Sequence, residues 1–184
     1  MELFSEEEFG KLSTQRQHIV EVLAICMTPV DMSTLLKILR GCGWADASTK
    51  SGTLTQALAR QKLNALYKLG WISASNSSLS YVVVRSQILD AVVLFSVQNG
   101  NFQKVALRVL EFEPQLDTAA RDRERGDYLG LIAKRQARIA FYDGDATSFE
   151  AASLTLRKPE YKSIYIDLLE PFNAKLFAKT PLVL

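Results

Sequence analysis

From Ala47 to Leu89 the chain carries Lys50, Arg60, Lys62, Lys68 and Arg85 and not one Asp or Glu. Residues 1–46 have a formal charge of −3, residues 47–89 of +5, and residues 90–184 of zero. A stretch that keeps cations and excludes carboxylates is suited to lie against a polyanion. Phosphates repel carboxylates, and each neutralised phosphate releases condensed counterions. Within this window "TLTQALARQKLNALYKLG" reads as a helix over about Thr53 to Leu69. Unrolled at about 100° per residue, one arc holds Gln56, Arg60, Gln61, Asn64, Tyr67 and Lys68. Arg, Asn and Gln are the side chains that make paired hydrogen bonds to guanine or adenine edges. Lys50, Thr53 and Thr55 stand at the helix start, where free backbone N–H groups favour an anion. Arg85 closes the window. The candidate nucleic-acid contacts are therefore Lys50, Thr53, Thr55, Gln56, Arg60, Gln61, Asn64, Lys68 and Arg85. A polar arc of this kind also suits plain solvation; the missing acids favour the polyanion.

No other constellation carries chemistry. His18 is the single histidine, and Cys26 and Cys42 are the two cysteines. That set makes neither a zinc framework nor a disulfide framework. No nucleophile or phosphate-loop motif is present. "GCGWAD" follows a helical pattern rather than a strand, which fails the context a phosphate loop needs. The mixed-charge run "DTAARDRERGDY" interleaves arginines with its carboxylates and reads as a solvated helix start or connecting loop. Lys134, Arg135 and Arg138 read as a solvated helix face. The expectation is a non-enzyme with no cofactor, no metal and no small-molecule ligand. The acidic start "MELFSEEEFG" lacks the cationic n-region of a signal peptide. No run approaches the length of a membrane span. A reducing cytoplasm is expected, or the nucleoid or nucleus where the chain is bound to DNA.

The elements around the cationic helix follow from periodicity and breakers. "SEEEF" reads as a helix start with Ser5 as its cap. A helix over about Thr14 to Met27 has Ile19, Val20, Val22, Leu23 and Cys26 on its apolar side. Pro29 breaks it, Asp31 or Ser33 can cap the next helix, and Gly41 and Gly43 end that one. In the third helix Leu54, Leu58, Ala65 and Leu69 share one arc, extended by Ala59, Leu63 and Leu66. Lys62 falls inside that arc and must reach out along its stem. Gly70 takes the place of a C′ glycine. "WIS" and "LSYVVV" then read as short strands separated by Ser-Asn turn chemistry.

Three helices and a two-stranded hairpin within residues 12–86 resemble a winged helix-turn-helix domain, above all in "LTQALARQKLNALYKLGWI", which runs from the third helix into the first wing strand. The resemblance implies double-stranded DNA as the partner. It departs in its long connection before the third helix, about ten residues where a tight helix-turn-helix uses three or four. "SASNSS" at the wing tip also has no Lys or Arg. Both departures suit the alternative, a winged-helix scaffold used only for protein–protein interaction in a multi-subunit assembly.

Residues 1–11 read as an acidic leader or helix and residues 87–184 as an all-α region of helical hairpins, so the fold class expected is mainly α. Ile88 to Val97 is an apolar helix ending at "NGN". Phe102, Val105, Ala106, Val109 and Leu110 form an amphipathic stripe. Tyr128 to Tyr142 ends at "DGD", and Phe149, Ala152 and Leu156 mark its partner, with Ser153 making this stripe less apolar. The two glycine corners resemble those of tetratricopeptide-type units, without their full consensus. This region is expected to bind a protein partner or a second copy. Tyr161, Ile164, Tyr165 and Leu168 form a last stripe, Pro171 opens a further helix, and the chain ends on "KTPLVL". An apolar ending of this kind fits either continuation into a larger regulator or nucleic-acid-dependent ATPase, or a tail that tucks onto the core.

Overall fold

A computed structural model of the chain describes residues 6–44, 54–75, 79–116 and 128–157. The capping role of Ser5, the run at 117–127, the stripe after residue 160 and the final "PLVL" lie outside the described residues. The chain is mainly helical with one small antiparallel sheet. It divides into two compact units, Met1–Ala119 and Ala120–Leu184. In order the elements are α1 (Glu6–Gly10), α2 (Thr14–Cys26), β1 (Val30–Asp31), α3 (Met32–Gly41), α4 (Gln56–Lys68), β2 (Ile72–Ala74) and β3 (Tyr81–Val84). There follow α5 (Ser86–Gln98), α6 (Phe102–Glu111), α7 (Tyr128–Asp143) and α8 (Ala146–Leu156). No described helix is long and apolar enough to cross a membrane.

The first unit is organised around α2. Every residue from Ile19 to Cys26 is buried, so this helix has no free face and must be surrounded. α3, α5, α6 and β3 pack against it. The apolar pattern alone explains most of this, since Ile19, Val20, Val22, Leu23 and Ile25 point in all directions. Glu21 is the exception, a carboxylate buried among them. The Ser96 Oγ–H donates to it at 2.9 Å and Asn101 Nδ2 at 3.1 Å. α5 and α6 are thereby tied to α2 by polar contacts as well as by packing. α1 docks through Phe9, which is fully buried against Phe95 (4.8 Å between ring centroids) and Trp71 (5.5 Å). The Phe9 carbonyl accepts from Gln17 Nε2 at 3.0 Å.

β2 and β3 are part of a three-stranded sheet in the order β1-β3-β2. Val30 pairs with Val82, and Ile72, Ser73 and Ala74 pair with Val84, Val83 and Val82. β1 is absent from the sequence-based expectation of two strands. A two-residue strand has no periodicity to read, and Val30–Asp31 is extended because β3 offers a free edge. Asp31 then caps α3: its Oδ1 accepts from the backbone N–H groups of Ser33 (2.8 Å) and Thr34 (3.1 Å). The choice between Asp31 and Ser33 is thus settled for Asp31.

α4 begins at Thr55, whose Oγ1 accepts from Leu58 N at 3.3 Å. It ends in a Schellman closure: Gly70 N–H donates to the Tyr67 carbonyl and Trp71 N–H to the Leu66 carbonyl, at 3.1 and 3.0 Å. The closure needs Gly70 at φ +79°, a conformation costly for a residue with a Cβ. Ala59, Leu63 and Leu66 are fully buried, and Leu54 nearly so. The expected core arc is therefore corrected. Leu58 and Ala65 are only half-buried, and Leu69 is 58% exposed. The fully buried arc centres on Ala59, with Leu66 on one side and Leu63 on the other, and Leu69 lies outside it. A helix with apolar residues on two neighbouring arcs does not announce which arc meets the core. Lys62 sits at the flank of the buried arc, half-buried. In α6, similarly, Phe102, Val105, Ala106 and Val109 are buried as the stripe requires, whereas Leu110 is 40% exposed.

In the second unit α7 packs along α8. Ala133, Ala137, Ala152 and Leu156 form its core, with Phe149 against it. The turns at Gly100 and Gly144 share a positive φ, +70° and +75°, which bears out the similarity of the two glycine corners. The expectation of a solvated Lys134–Arg138 cluster fails. Arg135 is fully buried, and Lys134 and Arg138 are half-buried. α7 buries two stripes, Ala133–Ala137–Ala140 and Arg135–Ile139–Tyr142, so it is covered on two sides, and a charge run on such a helix is no guide to a free face. Ser153 is buried, and its Oγ has no hydrogen-bond partner among the described residues.

Two substitutions test this packing by urea denaturation. Leu63→Ala is expected to cost about 2–5 kcal/mol as a core truncation, while Leu69→Ala changes stability by no more than about 0.5 kcal/mol. Equal costs would return Leu69 to the core arc. Ser153→Ala removes an orphaned hydroxyl and is expected to stabilise the second unit by about 1 kcal/mol; a loss of stability would mean the hydroxyl is bonded.

Candidate nucleic-acid interface

The outer face of α4 is held in place from three directions. Its buried arc meets α2 and α3. At its start, Arg40 Nη2 of α3 donates to the Leu54 carbonyl at 3.0 Å, which fixes where the chain enters the helix. Before that entry, Trp44 is clasped between two elements. His18 of α2 stacks on its ring at 3.7 Å with the planes 7° apart, and Lys104 Nζ of α6 lies 5.7 Å from the ring centroid. Cys42 Sγ contacts the Lys104 carbonyl at 3.9 Å. The connection into α4 is thus anchored at both described ends, one by a guanidinium and one by a stacked indole.

Gln56, Arg60, Gln61, Asn64 and Lys68 are all exposed, as the sequence pattern requires of a contact face. Thr55 is exposed too, with its oxygen engaged as the α4 cap; its hydroxyl proton remains free to donate. Lys50 and Thr53 lie outside the described residues, as do residues 76–78. Arg85 is exposed, and its guanidinium carbon lies 3.6 Å from where a Cβ on Gly70 would stand. The backbone bond from Arg85 N–H to the Trp71 carbonyl, 3.3 Å, sets it there. The fold therefore brings Arg85 from beyond the hairpin to the C-terminal end of α4, beside Lys68 in sequence terms only two residues from Gly70.

The electrostatics agree with this arrangement. Among the described residues no carboxylate pairs with Arg60, Lys62, Lys68 or Arg85; the described ion pairs are Lys11–Glu7 and Arg108–Glu111. Of the described acids in the first unit, Glu21 lies in the core, Asp31 caps α3 and Glu111 pairs with Arg108. Glu7 and Glu8 of α1 are exposed, Glu7 pairs with Lys11, and α1 is anchored on Phe95 and on Trp71, the residue that closes the end of α4. Burial pushes the Glu21 carboxyl up, against the pull of its bonds from Ser96 and Asn101. Burial also lifts the Cys42 thiol to about 11, so it is an inert core group and not a nucleophile. His18 is lowered to about 4 by burial and by the Lys104 charge, which keeps the stacked imidazole neutral. Among the described residues no three His, Cys, Asp or Glu side chains gather as a metal site would need.

Two features escape sequence reasoning. The clasp of His18, Trp44 and Lys104 joins residues 26 and 60 positions apart, and no local pattern signals it. Tyr67 belongs to the polar arc in sequence, yet it is absent from the expected contacts because tyrosine is not a paired hydrogen-bonding reader. It is 48% exposed on the same face. Comparison with protein-family models, with curated proteins and with solved structures finds no match to this chain.

The His18 clasp makes a pH prediction. Its folded value of about 4 lies below the usual 6.5, so the unfolded chain takes up a proton first as pH falls. The stability it contributes is full above pH 6.5 and is lost progressively toward pH 4. Glu21, raised in the folded state, acts with the opposite sign and favours the fold at low pH. The thermal midpoint should fall between pH 6.5 and 4.5 in the wild type and fall less in His18→Gln. Parallel declines in the two proteins would remove His18 as the cause.

Proposed function

We propose that residues 12–86 form a winged helix-turn-helix module that binds double-stranded DNA through the outer face of α4, joined to a helical region that engages a protein partner or a second copy. The observation that carries this reading is the acid-free, uncovered face of α4, with Arg60 and Lys68 exposed and unpaired among the described residues. Its support in the fold is the order α2-β1-α3-α4-β2-β3 with sheet order β1-β3-β2. In such an arrangement α2 and α3 brace the third helix from behind, which leaves its far side to a groove. Arg85 at the end of α4 adds a phosphate contact that positions without reading sequence. Five cations support only modest affinity, about micromolar or weaker for one module at physiological salt, so linkage through the helical region would raise it by effective concentration. The module is proposed as the DNA-addressing part of a larger regulator or nucleic-acid-dependent ATPase.

A second reading, a scaffold for protein–protein contacts alone, draws on different residues. Leu69 on α4 and Leu107 on α6 are exposed at 58% and 63%, and apolar side chains in water favour a protein neighbour.

The two readings separate in a titration of labelled duplex DNA at 50 and 200 mM salt. DNA binding predicts affinity that falls steeply with salt, and a slope shallower by about two in Arg60→Ala/Lys68→Ala, one for each lost phosphate contact. Both substitutions are at exposed positions, so the variant should unfold at the same urea concentration as wild type. Salt-indifferent binding, or none at the lower salt, would leave the scaffold reading standing.

A further inference from the structure

Resting on the proposed DNA reading, we infer that Tyr67 is a specificity-determining residue that reads the 5-methyl group of a thymine, within about three base steps of the base pair beneath Arg60. Gln56, Arg60, Asn64 and Tyr67 follow one another at intervals of four, four and three residues. That spacing lines them along one stripe of α4. All four are exposed. The first three are polar hydrogen-bonding groups. The fourth is an aromatic ring, nearly half of it in water, with no ring partner among the described residues.

The major groove of B-form DNA offers hydrogen-bonding groups on every base edge but only one apolar feature, the thymine C5-methyl. A stripe that ends in an aromatic ring matches that feature. The spacing is quantitative. Arg60 to Tyr67 is seven residues, a rise of about 10.5 Å at 1.5 Å each. Base pairs stack at about 3.4 Å and a helix in the major groove is inclined to the duplex axis, so the two side chains face edges no more than about three steps apart. The position of Tyr67 is also fixed: its carbonyl accepts from Gly70 N–H in the closure of α4, so the backbone beneath the ring does not fray as most helix ends do. The same chemistry selects against double-stranded RNA, whose major groove is too narrow for a helix and whose uracil lacks the methyl.

The test uses the full chain. A preferred site is first selected from a pool of random duplexes, and the guanine whose preference is lost in Arg60→Ala marks the base under that residue. Duplexes are then compared in which each thymine of the site is replaced, one at a time, by deoxyuridine. This keeps pairing and charge and removes one methyl group. Wild type is expected to bind about fourfold more weakly when one thymine within about three steps of that guanine is replaced, the worth of one buried methyl, and to ignore replacements elsewhere. Tyr67→Ser is expected to bind both duplexes equally, with its urea midpoint and its salt slope unchanged. Equal wild-type affinity for the two duplexes overturns the assignment, as does a Tyr67→Ser variant that still discriminates. Salt-dependent binding without a methyl effect sinks this inference alone; absence of salt-dependent binding sinks the DNA reading and the inference with it.

Discussion

A helix of thirteen residues can bury one arc against a small domain, and in α4 that arc runs through Ala59, Leu63 and Leu66. The rest of the surface depends on that contact. With these three turned inward, Gln56, Arg60, Gln61, Asn64 and Lys68 are turned to water together. A rotation by one residue would carry part of the cationic stripe toward the core. Burying a charge without a partner costs far more than exposing a leucine. This explains the outcome: Leu69 is left 58% exposed while Arg60 and Lys68 stay solvated. The apolar residue is sacrificed because solvating it is the smaller loss.

The second constraint lies on the other side of α2. A helix buried all round cannot carry a carboxylate unless that group is bonded, and Glu21 is bonded by Ser96 and Asn101 from α5 and the α5–α6 turn. The glycine corner after α5 is what presents Asn101, whose N–H also closes that turn onto the Ser96 carbonyl. One turn therefore does two tasks, ending α5 and supplying the donor that makes a buried acid tolerable. α6 then carries Lys104 to Trp44 and Arg108 to Gly41, so the helix pair braces the connection leading into α4. Of the helices after the sheet, α5 and α6 belong with the first compact unit, where both pack against α2.

Much of this was legible locally. The helix-stopping glycines, the Asp31 cap, the apolar stripe of α6 and the strands after Gly70 each rest on interactions within a few residues, which is the range that sequence patterns report. β1 escaped because two residues are too few for a period. The rotation of α4 escaped because two apolar arcs adjoin in one helix. Arg135 escaped because a charge pattern describes a helix face but not what covers it. The Trp44 clasp escaped because its members are far apart in sequence.

The sequence by itself determined the composition of a surface: a window of residues 47–89 with five cations and no acids, on a helix with a definite end. Charge and local backbone preference are properties of the residues and need no partner to exist. Only the tertiary structure decided which side of that helix faces out, that Arg85 returns to its end, and that Glu21 disappears into the core. Those outcomes are set by competition between distant groups for a limited interior, and no group can reveal the result until its neighbours are in place.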